Sequence, residues 1–294
     1  MMKSFKRLMI DALEEDIGQE DITTNRTVPA DARCRARLLA KQEGVLSGIE
    51  VFRLAFDCMK ARIKDWDAAP DGTRFKYGDE LAAFEGNARA VLTAERTALN
   101  FVQRLSGIAT LTRRCVESVA GHDVKILDTR KTTPGLRALE KYAVRAGGGT
   151  NHRMGLYDQV LIKDNHLRAL LPESGGGEMP DAVLLAVRRA RERVGRKMLI
   201  EVEAESLPMV FAAVAAGADI IMLDNMTLTE MRKAARFVRA DRRNSGRRRP
   251  ITEASGGVTL KKLPRIAATG VDAISLGMLT HSAPALDFAM DVIA

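Results

Sequence analysis

The sequence predicts an α/β protein: a small mixed α+β domain followed by a larger domain whose parallel sheet is curled into a barrel. Three observations predict it. From residue 124 onward, short apolar runs recur, each closed by a polar or glycine turn and most followed by a helical stretch. Strands alternating with helices in this way form βαβ units, with strands paired in parallel through right-handed crossovers. Roughly the first hundred residues show no such repeat. Periodicity alone admits an open doubly wound sheet as well as a barrel. The barrel is preferred because a polar group ends nearly every run, and in a barrel all those ends meet at one mouth.

In "MMKSFKRLMIDALEED", Phe5, Leu8, Met9 and Leu13 fall at helical spacing, while Asp11 arrives before an uninterrupted apolar segment could form. The stretch reads as an amphipathic helix and not as a signal peptide. "RCRARLLAKQ" and "ELAAFEG" alternate like half-buried strands. "GIEVFRLAFDCMKA" has helical spacing at Val51, Leu54, Ala55 and Cys58. A long helix follows through "RAVLTAERTALNFVQRLSGIATLTRRCVESVAG", with Leu92, Leu99, Val102 and Leu105 on a 3.6-residue period and Gly107 as a candidate bend. These elements form the first domain, residues 1–117, and the barrel occupies 118–284. The barrel runs are "VKILDTR" (124–130), "QVLIKDN" (159–165), "MLIEVE" (198–203), "DIIMLDN" (219–225), "PITEASGG" (250–257) and "DAISLG" (272–277). Helical stretches between them include "LRALEKYAVRAG", "DAVLLAVRRARERVG", "LPMVFAAVAAG" and "TEMRKAARFVRA".

Composition narrows the function classes. Aromatic residues make up 4% of the 294, too few for a base-stacking surface on single-stranded nucleic acid. The net charge of +8 suits an acidic partner, polymer or metabolite. Part of the excess is the block "RRNSGRRR" at 242–249, which reads first as a solvated loop after a helix. Cys34, Cys58 and Cys115 are far apart, and no CxxC or HxxxH occurs, so a structural zinc site is not expected. Unpaired cysteine spacing fits a reducing compartment. The longest uncharged apolar stretch, "SLPMVFAAVAAGA", is too short to span a bilayer. The expectation is a soluble, cytoplasmic protein with no membrane and no nucleic-acid partner.

Side chains alternate along a strand, so each run assigns residues to a common face. Asp128 and Arg130 share one, as do Leu161 and Lys163, Glu201 and Glu203, Met222 and Asp224, Glu253 and Ser255, and Ser275 and Gly277. One charged strand exit is ordinary. Six in phase describe a mouth with two acids, Glu203 and Asp224, facing the cations Arg130 and Lys163. The loop "RAGGGTNHRMGLYD" adds His152 and Arg153. A lone histidine is most often a hydrogen-bonded structural residue; beside Arg153, an anion contact is the competing reading. "ASGGV" and "SLGMLTHS" place Ser255, Gly256 and Gly277 where loops after late barrel strands bind phosphate. Arginine forks suit carboxylates and phosphates, and two carboxylates near phosphates suit Mg²⁺. No nucleophile–base pair is evident. The set points to a diphosphate-bearing sugar and a small anionic acceptor.

The segments "ERTALNFVQRLSGIAT", "DTRKTTPGLRALEKYAVRAGGGTNHRMGLYDQVLIKDNH", "EVEAESL", "AGADIIMLDNM", "EASGGV", "GVDAISLGMLTHS" and the early "EDIGQEDITT" together resemble the quinolinate phosphoribosyltransferase family over nearly the whole chain. Two connections, "LRALLPESGGGEMPDA" and "RRNSGRRRP", are longer than the family pattern. The resemblance implies an N-terminal α/β sandwich domain plus an open α/β barrel of the type II phosphoribosyltransferase kind. It also implies a final helix around 285–294 that packs back on the first domain. The implied activity is Mg²⁺-dependent transfer of phosphoribosyl from phosphoribosyl pyrophosphate to quinolinate. Decarboxylation accompanies it, giving nicotinate mononucleotide, pyrophosphate and carbon dioxide in de novo NAD biosynthesis. By the same resemblance, Arg130, Arg153 and Lys163 hold the quinolinate carboxylates, with His152 beside them and Arg96 supplied across the interface of a homodimer or higher homo-oligomer. Lys131 contacts the donor and steadies the leaving charge. Glu203 and Asp224 bind the ribose hydroxyls and Mg²⁺, and Ser255, Gly256 and Gly277 cradle the 5-phosphate.

Three rivals are weighed against this reading. A barrel aldolase would use Lys163 as a Schiff-base amine, but the two acids and the phosphate cradle would then need separate roles. A nucleic-acid binder would rest on the +8 charge and lose affinity steeply with salt. The same chemistry on a monocarboxylate such as nicotinate would leave an arginine unpaired, which is costly.

Overall fold

The computed structural model describes residues 2–174, 177–240 and 249–293, with side chains from Phe5 onward. Two compact units divide the chain: Met1–Arg113, Thr132–Gly148 and Met278–Ala294 form the first, and Arg114–Lys131 and Gly149–Gly277 form the second. The chain therefore crosses between units more than once; the return of the C-terminal segment to the first unit is expected from the sequence, whereas the excursion of Thr132–Gly148 is not.

The first unit is built on a four-stranded antiparallel sheet. Its strands are β1 (Arg33–Ala40), β3 (Lys64–Ala68), β5 (Glu80–Asn87) and, at the C-terminus, β12 (Phe288–Ile293), in the order β12-β1-β5-β3. The short strands β2 (Gly44–Val45) and β4 (Arg74–Phe75) pair separately. In β1, Cys34, Ala36, Leu38 and Ala40 point inward and the arginines between them outward, which is the alternation read in the sequence. The helix Ile49–Cys58 buries Phe52 and Phe56, which meet Phe84 of β5 with ring centroids 6.4 and 4.9 Å away. The N-terminal helix Met2–Ile17 lays Phe5, Met9 and Leu13 into the same core.

One expectation changes here. The segment around 285–294 is a strand, not a helix: β12 runs antiparallel to β1 with Met290 opposite Leu38 and Asp291 opposite Arg37. Phe288 and Met290 are buried on one face, a period of two that the apolar density of the segment obscures. The helix Ala88–Ser118 runs through Gly107. Glycine is needed there for close approach, because a Cβ would lie 1.9 Å from the Pro284 carbonyl oxygen.

The second unit is a six-stranded parallel sheet: β6 (Lys125–Leu127), β7 (Val160–Ile162), β8 (Ile200–Ala204), β9 (Ile220–Asp224), β10 (Ile251–Ser255) and β11 (Ala273–Ser275). The order is β6-β11-β10-β9-β8-β7. Successive strands from β7 to β11 each step to the next position in one direction, and β6 pairs with β11. That progression is singly wound, so the sheet is an open barrel rather than a doubly wound sheet. Its gap lies between β6 and β7, crossed by the isolated bridge Leu127–Thr150. Helices such as Met179–Val194, Leu207–Ala216 and Leu228–Ala240 follow the strands and bury their apolar faces. Among the described residues, no helix is long and apolar enough to cross a membrane. Of the basic block 242–249, all but Arg249 lies outside the described residues.

Candidate active site

Parallel strands bring their carboxyl ends to one side, and the register decides what meets there. Glu203 on β8 stands level with Met222 on β9, Met222 level with Glu253 on β10, and Asp224 level with Ser255. The six strand ends enclose a cavity of about 660 Å³ in the second unit. Arg130, Lys131, His152, Arg153, Lys163, Glu203, Asp224, Ser255 and Gly256 all line it. Nine of the expected residues thus share one surface, five of them (Arg130, Lys163, Glu203, Asp224 and Ser255) assigned to it by strand alternation and the others by the loops and the resemblance. Gly277 follows β11 and is not among the lining residues. Arg96 is exposed on the helix Ala88–Ser118 of the first unit and is not among them either.

The cavity has a cationic side. Arg153 is buried, gives Nη1 to the carbonyl of Gln159 at 3.0 Å, and has a buried Nε with no partner. Arg130 likewise has a buried Nε with no partner. Burial, then the charge of Arg130, pull the Arg153 pKa below the ordinary arginine value; Glu201, Asp158 and Glu203 oppose this. Such a site is poised to accept negative charge, since buried polar atoms are rarely left unpaired.

Acids line the cavity at the ends of β8 and β9. Lys163 Nζ lies 2.6 Å from Glu203 Oε1. That lysine is 48% exposed, so the pair contributes little to stability and chiefly fixes two reactive groups. Asp224 is raised above the usual carboxylate value, first by burial and then by the negative charge of Glu203; Asn225, Lys163 and Lys131 pull the other way. Asn225 Nδ2 donates to Asp224 Oδ2 at 2.9 Å.

A turn closes this half. Asn225 has φ +53° and donates its backbone N–H to the Ser255 carbonyl at 3.1 Å. Gly256 has φ +87°, and a Cβ on it would meet Asn225 Oδ1 at 2.3 Å. Only glycine fits that approach, and the bare backbone after β10 is what a phosphate contact needs.

Beneath the arginines lies a cluster the sequence displays only in part. Asp128, Glu201 and Glu253 are at most 1% exposed. Asp128 accepts from the backbone N–H of His152 at 2.9 Å and from Asn151 Nδ2 at 2.5 Å. His152 Nε2 lies 3.1 Å from Glu201 Oε2 and 3.6 Å from Glu253 Oε2. Burial, and then the charge of Glu201, push Glu253 up to about 8. Glu253, Ser275, Asn225 and Gly257 line the cavity without having been singled out as site residues. The phase of β10 and β11 already put Glu253 and Ser275 on the inner face, which is the signal that could have found them.

The comparisons with known proteins agree with one another. Residues 108–291 match the model of the quinolinate phosphoribosyl transferase C-terminal domain, and residues 21–106 that of the N-terminal domain. The probable nicotinate-nucleotide pyrophosphorylase [carboxylating] of Bacillus subtilis is 43% identical over 287 residues, covering 98% of this chain and 93% of its own length. The corresponding Mycobacterium leprae protein is 41% identical over 284 residues, covering 96% of this chain and 94% of its own. The crystal structure of NadC from Streptococcus pyogenes superposes with a TM-score of 0.89 at 38% identity, covering 100% of this chain and 98% of that one.

Proposed function

The chain belongs to the quinolinate phosphoribosyltransferase family, and from that premise we propose that its cavity transfers phosphoribosyl from phosphoribosyl pyrophosphate to quinolinate. The products are nicotinate mononucleotide, pyrophosphate and carbon dioxide. One observation carries the assignment of the acceptor: Arg130 and Arg153 line the same cavity, each with a buried Nε that has no partner. Two guanidinium forks there match two carboxylates, and a monocarboxylate would leave one unanswered.

Arg130 and Arg153 bind the acceptor carboxylates, with Lys163 at the edge of the acid side. Arg96, from a second copy of the chain in a homodimer, completes the acceptor pocket. Ser255, Gly256 and Gly277 hold the donor 5-phosphate. Glu203 and Asp224 take the ribose hydroxyls. Pyrophosphate leaves ribose C1, and the bond breaks ahead of the one that forms. Lys131 stabilises the departing negative charge, and the two acids stabilise the positive sugar. The pyridine nitrogen attacks C1 with its own lone pair, which needs no general base. Much of the rate then comes from holding the two reactants in line. After N–C1 bond formation the ring is cationic. The C2–carboxylate bond breaks, its electron pair stays on the ring carbon beside the positive nitrogen, and that carbon takes a proton from water.

Glu203 and Asp224 also fit Mg²⁺. Two adjacent acids, with the charge of Glu203 opposing ionisation of Asp224, facing a phosphate cradle, are a donor set for a hard cation. When bound, the ion neutralises diphosphate charge. The three cysteines carry no disulfide, which supports a cytoplasmic setting. The test is release of carbon dioxide from carboxyl-labelled quinolinate. Release that requires phosphoribosyl pyrophosphate and Mg²⁺, with nicotinate a poor acceptor for pyrophosphate formation, is the expected result. Pyrophosphate formed equally well with nicotinate would overturn the acceptor.

A further inference from the structure

The acceptor assignment above depends on where Arg153 points, and the residues that hold it there form a chain of hydrogen bonds with a definite direction. The backbone N–H of Arg153 donates to His152 Nδ1 at 2.8 Å. A ring nitrogen that accepts a hydrogen bond carries no proton, so the imidazole proton sits on Nε2. Nε2 in turn lies 3.1 Å from Glu201 Oε2. The ring is therefore neutral, with Nε2–H donated to Glu201, and both nitrogens are committed within the protein. His152 supplies neither a positive charge nor a spare donor to a substrate carboxylate.

Glu201 grips the other end of the same turn. Gln159 Nε2 donates to Glu201 Oε2 at 2.5 Å, and the Gln159 carbonyl accepts Arg153 Nη1 at 3.0 Å. One fully buried carboxylate oxygen thus receives the residue just before Arg153 and the residue that anchors its guanidinium. Between them the turn is braced by Asp158, which accepts the backbone N–H groups of Met154 and Gly155 at 2.7 and 2.9 Å. The same atoms could be mistaken for a metal site, because His152, Glu201 and Glu253 offer ligand atoms within 4.8 Å of one another. Coordination through Nε2 would need the proton on Nδ1, where the Arg153 N–H already points. The hydrogen-bond direction selects the strut over the metal.

We infer that Glu201 is a positioning residue for the acceptor half of the site, acting through a neutral His152 and through Gln159 to aim Arg153, and that His152 is a strut rather than a carboxylate ligand. The inference rests on the quinolinate reading for its kinetic consequence but not for its chemistry. The first measurement is the imidazole nitrogen chemical shifts of ¹⁵N-labelled full-length protein between pH 6 and 8, with His152 assigned by loss of its signals in His152→Gln. A neutral ring protonated on Nε2 is expected. An imidazolium, or a ring protonated on Nδ1, overturns the inference, and this reading needs no substrate. The second measurement is steady-state kinetics of Gln159→Ala and Glu201→Gln, each checked for an unchanged circular dichroism spectrum. Each variant should raise the quinolinate KM about tenfold, the factor set by one charge-assisted hydrogen bond. The donor KM and kcat should stay within about twofold. An unchanged quinolinate KM, or equal changes in both KM values, overturns the positioning role. Should Glu201→Gln fail to fold, Gln159→Ala and the nitrogen shifts decide. Wild-type protein that releases no carbon dioxide from quinolinate would count against the proposed function alone, leaving the tautomer result to stand or fall separately.

Discussion

Each unit contains a buried arginine–glutamate cluster, and the two are finished differently. In the first unit Glu140 is fully buried and saturated. Oε1 accepts Arg104 Nη2 at 2.8 Å and Thr133 Oγ1 at 2.8 Å, and Oε2 accepts the backbone N–H of Thr133 at 3.1 Å. Arg104 also donates to the carbonyls of Ala283 and Thr280. In the second unit Arg153, Glu201 and Glu253 are buried and Arg130 half-buried, yet the buried atoms Arg153 Nε, Arg130 Nε, Glu201 Oε1 and Glu253 Oε1 have no partner. The first unit does leave Arg37 Nε, Ser47 Oγ and Arg113 Nε unpaired, but on separate elements. The difference teaches how to tell a brace from a binding site. A saturated cluster has its free energy in the fold; a cluster with gathered, unanswered donors and acceptors has part of its free energy reserved for a ligand.

The largest effect that tests this distinction is expected at Glu140. Glu140→Ala leaves the Arg104 guanidinium without its carboxylate and the Thr133 N–H without an acceptor. Breaking one side of a buried pair costs about 3–5 kcal/mol, and the lower end applies because Arg104 is 26% exposed. Urea unfolding should show that loss. A change under about 1 kcal/mol would break the comparison at its first-unit end.

Next in size is Arg153→Ala. In the proposed site the side chain removed is one fork of the acceptor pocket, so kcat/KM for quinolinate should fall roughly 10²–10³-fold, with the donor KM within about twofold. The midpoint of unfolding should move less than for Glu140→Ala, because the unpaired Nε is removed along with the charge. A variant that is destabilised as much as Glu140→Ala but retains its kinetics would make Arg153 a brace as well.

Both ends of the comparison differ in how legible they are from sequence. The cavity follows from phase: a strand's side chains alternate, so Glu203, Asp224, Glu253 and Ser275 fall inward once their strands are found. The singly wound order also follows from the repeat, given that all strand ends carry function. What the pattern does not carry is partnership. Arg104 and Glu140 are 36 residues apart, and each reads alone as a solvated helix charge. β12 is six residues long and owes its conformation to β1, some 250 positions earlier. The tautomer of His152 depends on one backbone N–H, a direction that residue types do not encode.

A third test uses proton linkage on the unsaturated side. Unfolded Glu253 titrates near 4.5, and in the folded protein burial and the charge of Glu201 raise it to about 8. The folded state therefore holds a proton that the unfolded state has released across that window. Stability falls as pH rises through it, by at most about 1.4 kcal/mol per pH unit for one proton. Glu253→Gln cannot titrate. The difference in stability between variant and wild type should grow in the variant's favour from pH 5 to pH 8. A constant difference would mean that the folded protein accepts a charged Glu253.

The smallest effect sharpens the comparison most, because it separates saturation from location. Arg249 and Asp272 form a saturated pair inside the second unit, the one that holds the cavity. Arg249 Nη1 and Nη2 reach Asp272 Oδ2 and Oδ1 at 2.8 and 2.7 Å, and Asp272 Oδ2 also accepts the N–H and Oγ1–H of Thr252. Burial pushes the Asp272 carboxyl up, but the Arg249 fork and the Thr252 donors outweigh it and hold the acid below its usual value. Neither residue lines the cavity. If membership of the catalytic unit were what mattered, Arg249→Ala should disturb turnover. If saturation is what matters, it should cost about 1 kcal/mol or less, since the arginine is 43% exposed, and leave both KM values unchanged. The sign of its pH dependence is fixed as well. Stability contributed by a depressed acid is present above its unfolded pKa and lost as pH falls through the folded one. The penalty of Arg249→Ala should therefore shrink toward acid pH, as protonation of Asp272 proceeds in both proteins. Thermal melts at pH 7 and pH 3, set beside kinetics at pH 7, measure both halves, and altered turnover at unchanged stability would reverse the assignment of Arg249 to the brace.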